Sequence, residues 1–194
     1  MKLTILLLLL TSCTFYSQNN LDSILKNPEY NCKKTKNTSF EKLALTFPLN
    51  KTTKVQIVSF EYKNVMITEE GKEDKQILID SLPRIGNKLD YKNIKECKNL
   101  ELINIIELSD ILYNFNYNPK KDKTISVASC YMPRNVIVFL DSEENIIEFI
   151  EICFECGGHY VFRESNFGEF CDGKIQLIKN FFIAMQMKYG LIEK

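Results

Sequence analysis

Between Thr124 and Ile152 three apolar, β-rich runs follow one another with only a few residues between them. No other feature of the 194-residue chain constrains the fold as tightly. The runs are Thr124–Ser129, Val136–Leu140 and Ile146–Ile152, parted by turn sequences at Met132-Pro133-Arg134-Asn135 and Asp141-Ser142-Glu143-Glu144-Asn145. Connections this short leave no room for a crossover, so the strands pair antiparallel in a β-meander. The third run is apolar on both faces apart from Glu148 and Glu151, which places it inside the sheet.

The flanking segments fill in the rest. Lys54–Tyr62 alternates over β-branched residues and reads as a strand, and Gln76–Ile79 reads as a short strand ended before Pro83. Leu102, Ile105, Leu108, Ser109, Leu112 and Phe115 recur at three- and four-residue spacing, predicting an amphipathic helix over Glu101–Asn116. Ile175, Ile178, Phe181, Phe182, Met185 and Tyr189 stripe a C-terminal helix closed by Gly190. A meander sheet with helices gathered on one face is an α+β domain. With 45% hydrophobic and 26% charged residues the chain holds enough apolar surface for one such core, set at residues 40–194. Lys+Arg and Asp+Glu both number 25, so the basic excess of a nucleic-acid binder is missing.

The N-terminus carries an export signal. Lys2 precedes the apolar run Ile5–Leu10, which is too short to span a membrane and has the form of a signal peptide. The run ends in Leu10-Thr11-Ser12-Cys13, which resembles the lipobox of bacterial lipoproteins. In that family the cysteine accepts lipid and becomes the first residue, which would make residues 1–17 a signal segment with acceptor Cys13. The alternative is a plain secretory signal cut near Tyr16-Ser17-Gln18, a poor small-residue site, leaving a secreted or periplasmic soluble protein. Residues 18–39, polar and rich in Asn and Lys, read as a tether from the membrane to the domain.

Of the seven cysteines, six remain beyond Cys13: Cys32, Cys97, Cys130, Cys153, Cys156 and Cys171. In an exported protein an even number permits disulfides, whose connectivity sequence alone does not choose. The densest cluster is Cys130 with Cys153-Phe154-Glu155-Cys156-Gly157-Gly158-His159. Counting through the turns sets Cys130 level with Asn135 and Glu151, so that Cys130, Glu151 and Cys153 share a face. A c-type haem would need His directly after the second cysteine, where Gly157 stands. A thioredoxin-like pair would need a helix N-terminus at Cys153, which instead ends a strand. Beside that weaker redox reading stand two others, a metal site and a structural role that also admits buried thiols pinning the sheet edge. One is zinc held by Cys130, Cys153, Cys156 and His159. The other is a structural bridge between Cys130 and Cys156, because Cys153 lies two strands away and Cys156 is free in the loop to fold back.

Glu148 lies on the opposite face from Glu151 and Glu155, and strand carboxylates of this kind belong to a solvated side. No Gly-rich phosphate loop, Gly-x-Ser-x-Gly elbow or His-Glu-x-x-His helix occurs, and the single His159 is the one imidazole. The expected function is therefore that of a lipid-anchored cell-envelope protein whose domain binds a partner or has a structural role without catalysis. A zinc- or thiol-dependent enzyme built on the cysteine cluster is the alternative.

Ser129-Cys130-Tyr131-Met132-Pro133-Arg134-Asn135, Ile150-Glu151-Ile152-Cys153-Phe154-Glu155-Cys156, Cys171-Asp172 and Lys188-Tyr189-Gly190 together resemble a group of uncharacterised exported proteins of Bacteroidota, over residues 54 to 190. The resemblance implies an exported location and a source of that kind, and no mechanism. The excess of Lys over Arg and the abundant Asn and Ile fit an AT-rich genome.

Overall fold

The computed structural model describes residues 31–62, 82–118, 120, 131–163 and 165–191. In chain order these form β1 (Cys32–Lys34), α1 (Phe40–Leu43), β2 (Lys54–Phe60), β3 (Arg84–Ile85), β4 (Lys88–Leu89) and β5 (Ile94–Asn99). They continue as α2 (Leu102–Asn114), β6 (Phe115–Tyr117), β7 (Asn135–Leu140), β8 (Ile146–Ile152), β9 (His159–Val161) and α3 (Asp172–Ala184). The main sheet has the order β5-β2-β7-β8-β9, with every neighbouring pair antiparallel. β1 pairs separately with β6, and β3 with β4.

Period-2 alternation divides the strand residues between two buried faces. Val55, Ile57, Ile137, Phe139, Ile150 and Ile152 pack under Leu108 and Leu112 of α2 and Ile178 and Phe182 of α3. Val58, Phe60, Val136, Val138 and Phe149 point the other way and are covered by Leu82 and by Leu89 of β4. The two long helices thus sit on one face, and the fold is α+β as the periodicity implies. All seven residues of β8 are buried, as an interior strand requires.

Three expectations change. β2 runs along β7 from Lys54–Leu140 to Ser59–Asn135, in the place assigned to residues 124–129. With apolar residues on both faces, β2 belongs inside the sheet, between β5 and β7, so the meander is β7-β8-β9 with His159–Val161 as its third strand. Residues 124–129 and 76–79 lie outside the described residues. The register also slips by one. Leu140 opposes Ile146, but an irregularity beyond that pair leaves Ile147 unmatched, so Phe139 opposes Glu148 and Val136, not Asn135, opposes Glu151. Finally, α3 stops at Ala184 and Gln186 takes a positive φ of 61°. The chain turns there to bury Met187 and Leu191 in the core.

Residues 31–39, expected in the tether, are built into the fold. Cys32 pairs with Tyr117 across β1 and β6, and the Asn114 carbonyl accepts from the Thr35 N–H at 2.8 Å. Among the described residues no helix is long and apolar enough to cross a membrane.

Candidate functional site

The C-terminal end of β8 and the start of β9 are joined by a turn that carries the Cys-x-x-Cys pair. The Cys153 N–H donates to the Gly158 carbonyl at 2.8 Å and closes the turn. Gly157 supplies the positive φ of 68° that an L side chain resists. Gly158 is needed for space, since a Cβ there would lie 2.8 Å from the Tyr131 ring. The turn brings the Cys153 and Cys156 Sγ atoms to 2.6 Å. That is well inside an ordinary contact of about 3.5–4 Å and approaches the roughly 2.05 Å of a bond. Cys153 is buried and Cys156 half-buried between exposed Glu155 and Gly157. Burial pushes the Cys153 thiol up, and its hydrogen bond with Cys156 pushes it the same way.

Behind the thiols stands Glu151, fully buried. Its carboxylate accepts from the Leu82 N–H at 2.7 Å and from the Tyr131 hydroxyl at 3.3 Å. Burial first, and then the Glu151 charge, push the Tyr131 phenol far above its ordinary range, so it stays a donor. At the rim Arg134 pairs with Glu155 at 2.8 Å. Glu148, on the opposite face as expected, is also fully buried. It accepts from the Phe149 N–H at 2.9 Å, the Arg163 N–H at 3.0 Å and the Ser165 hydroxyl. The solvated side expected for these carboxylates is therefore wrong for both. Each glutamate spends its oxygens on donors that would otherwise be buried without acceptors.

His159 diverges from the thiols. It lies opposite Ile152, on the helix-covered face, whereas Cys153 comes near Tyr131, the partner of Glu151. Its ring stacks on Phe170 with centroids 4.0 Å apart. Although His159 stays exposed at the strand edge, partial shielding of the ring and then the Lys174 ammonium hold the imidazole below its usual pKa. Cys130 and Cys13 lie outside the described residues, and with them the Cys130–Cys156 bridge and one corner of the zinc set. Among the described residues no three His, Cys, Asp or Glu side chains converge as metal ligands.

Two groups escaped sequence reasoning. Cys32 and Cys171 form a disulfide across 139 residues, joining β1 to the start of α3. Beside it, Lys174 is fully buried, donating to the Leu112 carbonyl at 2.8 Å and the Phe167 carbonyl at 2.9 Å. Its ammonium sits 4.9 Å from the Phe170 ring centre. Burial, and then Lys36, push its pKa down to about 7, opposed by Glu169. The even cysteine count pointed to bridges without choosing partners, and nothing local marks Lys174 among the chain's many lysines. Away from the cysteine turn, a groove of about 410 Å³ opens between α1 and α2, lined by Lys34, Thr38, Phe40, Ile106 and Asp110.

No family model, curated protein or solved structure matches the chain.

Proposed function

We propose that the chain is a cell-envelope lipoprotein, anchored through Cys13, whose domain binds a partner or has a structural role rather than catalysing a reaction. The observation that carries this reading is the Cys32–Cys171 disulfide. Such bridges persist where the surroundings are oxidising and are rare in the cytosol, so the bridge supports the export that Lys2 and Ile5–Leu10 signal. Its position matters too. β1 is tied to α3 close after the polar segment, so the pull of an anchor at Cys13 would reach a covalently fastened strand.

The non-catalytic reading is supported by how the acids are used. Glu148 and Glu151 are committed to backbone donors, and His159 is stacked on Phe170 on the helix-covered face. The groove between α1 and α2 stands apart from both. The resemblance to exported proteins of Bacteroidota agrees with this location.

Metabolic labelling with a palmitate analogue tests the anchor. The account expects labelled wild type and unlabelled Cys13→Ser. Equal labelling of the two, or none in either, sinks it and leaves plain secretion.

A further inference from the structure

The cysteine turn pairs a fully shielded thiol with a half-buried one, and this asymmetry gives it a chemistry of its own. We infer that Cys153 and Cys156 form a thiol–disulfide exchange site, in which Cys156 meets small-molecule disulfides and Cys153 resolves the mixed disulfide. The inference does not depend on lipid at Cys13.

The geometry assigns the roles. Cys156 is half-buried in a turn between exposed Glu155 and Gly157, so it is the more accessible member of the pair. Cys153 is 2% exposed, so an external disulfide does not reach it, but its Sγ stands 2.6 Å from that of Cys156. The turn closed by Cys153 N–H and the Gly158 carbonyl fixes this spacing, so intramolecular attack needs little rearrangement.

The electrons balance as follows. The Cys156 thiolate attacks one sulfur of RS–SR, forming Cys156–S–SR and releasing one RS⁻, which takes a proton from water. Cys153 then loses its proton to solvent and attacks the Cys156 sulfur, forming the Cys153–Cys156 bond and releasing the second RS⁻. Two electrons pass from the protein dithiol to the small disulfide, which leaves as two thiols. The same attack would resolve a bond between Cys156 and any other cysteine. Burial and the hydrogen bond with Cys156 disfavour a thiolate at Cys153, so it waits as a neutral thiol until Cys156 carries the mixed disulfide.

The test uses the full chain in a Cys97→Ser background, which removes the exposed thiol of β5. Protein reduced only at accessible thiols is treated with oxidised glutathione, then alkylated and mapped by mass spectrometry. The parent is expected to carry a Cys153–Cys156 bridge and no lasting glutathione. Cys153→Ser is expected to hold glutathione on Cys156, and Cys156→Ser to gain none at Cys153. A lasting adduct on Cys156 in the parent overturns the inference, as does a Cys156 found bridged only to Cys130. The parent measurement needs no cysteine-turn variant, so it stands even where a variant fails to fold.

Discussion

Lys174→Met asks whether a fully buried lysine is tolerated because it is neutral. Lys174 is fully buried and gives two hydrogen bonds, to the carbonyls of Leu112 and Phe167. The charged groups that face it are Lys36, Glu169 and, when protonated, His159. Its pKa is pushed down from 10.5 to about 7 in the fold. Between those values the unfolded chain binds a proton that the folded chain has shed, so stability rises with pH, by about 1.4 kcal/mol per unit at most. Below pH 7 both states are protonated, and this dependence disappears with the lysine's penalty fully present. Integrated from pH 7 to pH 9, the gain is about 2 kcal/mol. Methionine keeps the length and lacks the charge. Urea unfolding of both proteins at pH 7, 8 and 9, with the Cys32–Cys171 bridge intact, isolates the lysine and the few groups coupled to it, because titrating groups elsewhere cancel in the difference. The wild type should gain on the variant by that amount as pH rises. Parallel curves across this range would refute the argument and show that the ammonium stays charged in the core.

Glu148→Ala strips the acceptor from two backbone N–H groups and the Ser165 hydroxyl, so it should cost about 3 kcal/mol or more in urea unfolding; a loss below about 1 kcal/mol would contradict that role. Gly190 has a φ of 72°, and a Cβ there would lie 2.7 Å from Asn135 Nδ2 and 2.9 Å from Arg134 Cβ. Gly190→Ala should therefore lower stability by about 1–3 kcal/mol, read as a fall in melting temperature. Opening the bridge with Cys171→Ser frees a loop of 139 residues, worth about 5 kcal/mol in the chain-entropy model; unchanged unfolding under reducing and oxidising conditions would sink the claim.

The parts of the fold that follow from local periodicity were legible. Val55 to Phe60, Val136 to Leu140 and Ile146 to Ile152 declare strands because their apolar residues fit a two-faced sheet, and the helices follow from three- and four-residue spacing. Neighbour choice was not legible, because nothing in residues 135–140 says whether β2 or a nearer segment lies alongside. The one-residue slip came from an irregularity at Leu140 and Ile147, which depends on how the Asp141–Asn145 turn closes. β9 is three residues long and too short for a period to show. At the cysteine turn, the Cys-x-x-Cys spacing and the glycines were visible, and Glu151 and Cys153 both come beside Tyr131. Glu148 and Glu151 were assigned to water because a carboxylate's burial depends on donors elsewhere, Leu82 for one and Arg163 for the other. Long-range pairing hid the Cys32–Cys171 bridge for the same reason.

The first strand of this domain is covalently fastened to its last helix, and the proposed location outside the cytosol requires that bond to persist in the cell. The most direct measurement is the redox state of Cys32 and Cys171 in intact cells of the source organism. Cells are quenched in acid and free thiols blocked before lysis, and bridged cysteines are then reduced and given a second label. The account predicts the second label alone on both residues, with a Cys32–Cys171 cross-linked peptide in the unreduced digest. The first label on both cysteines in the bulk of the protein would contradict it.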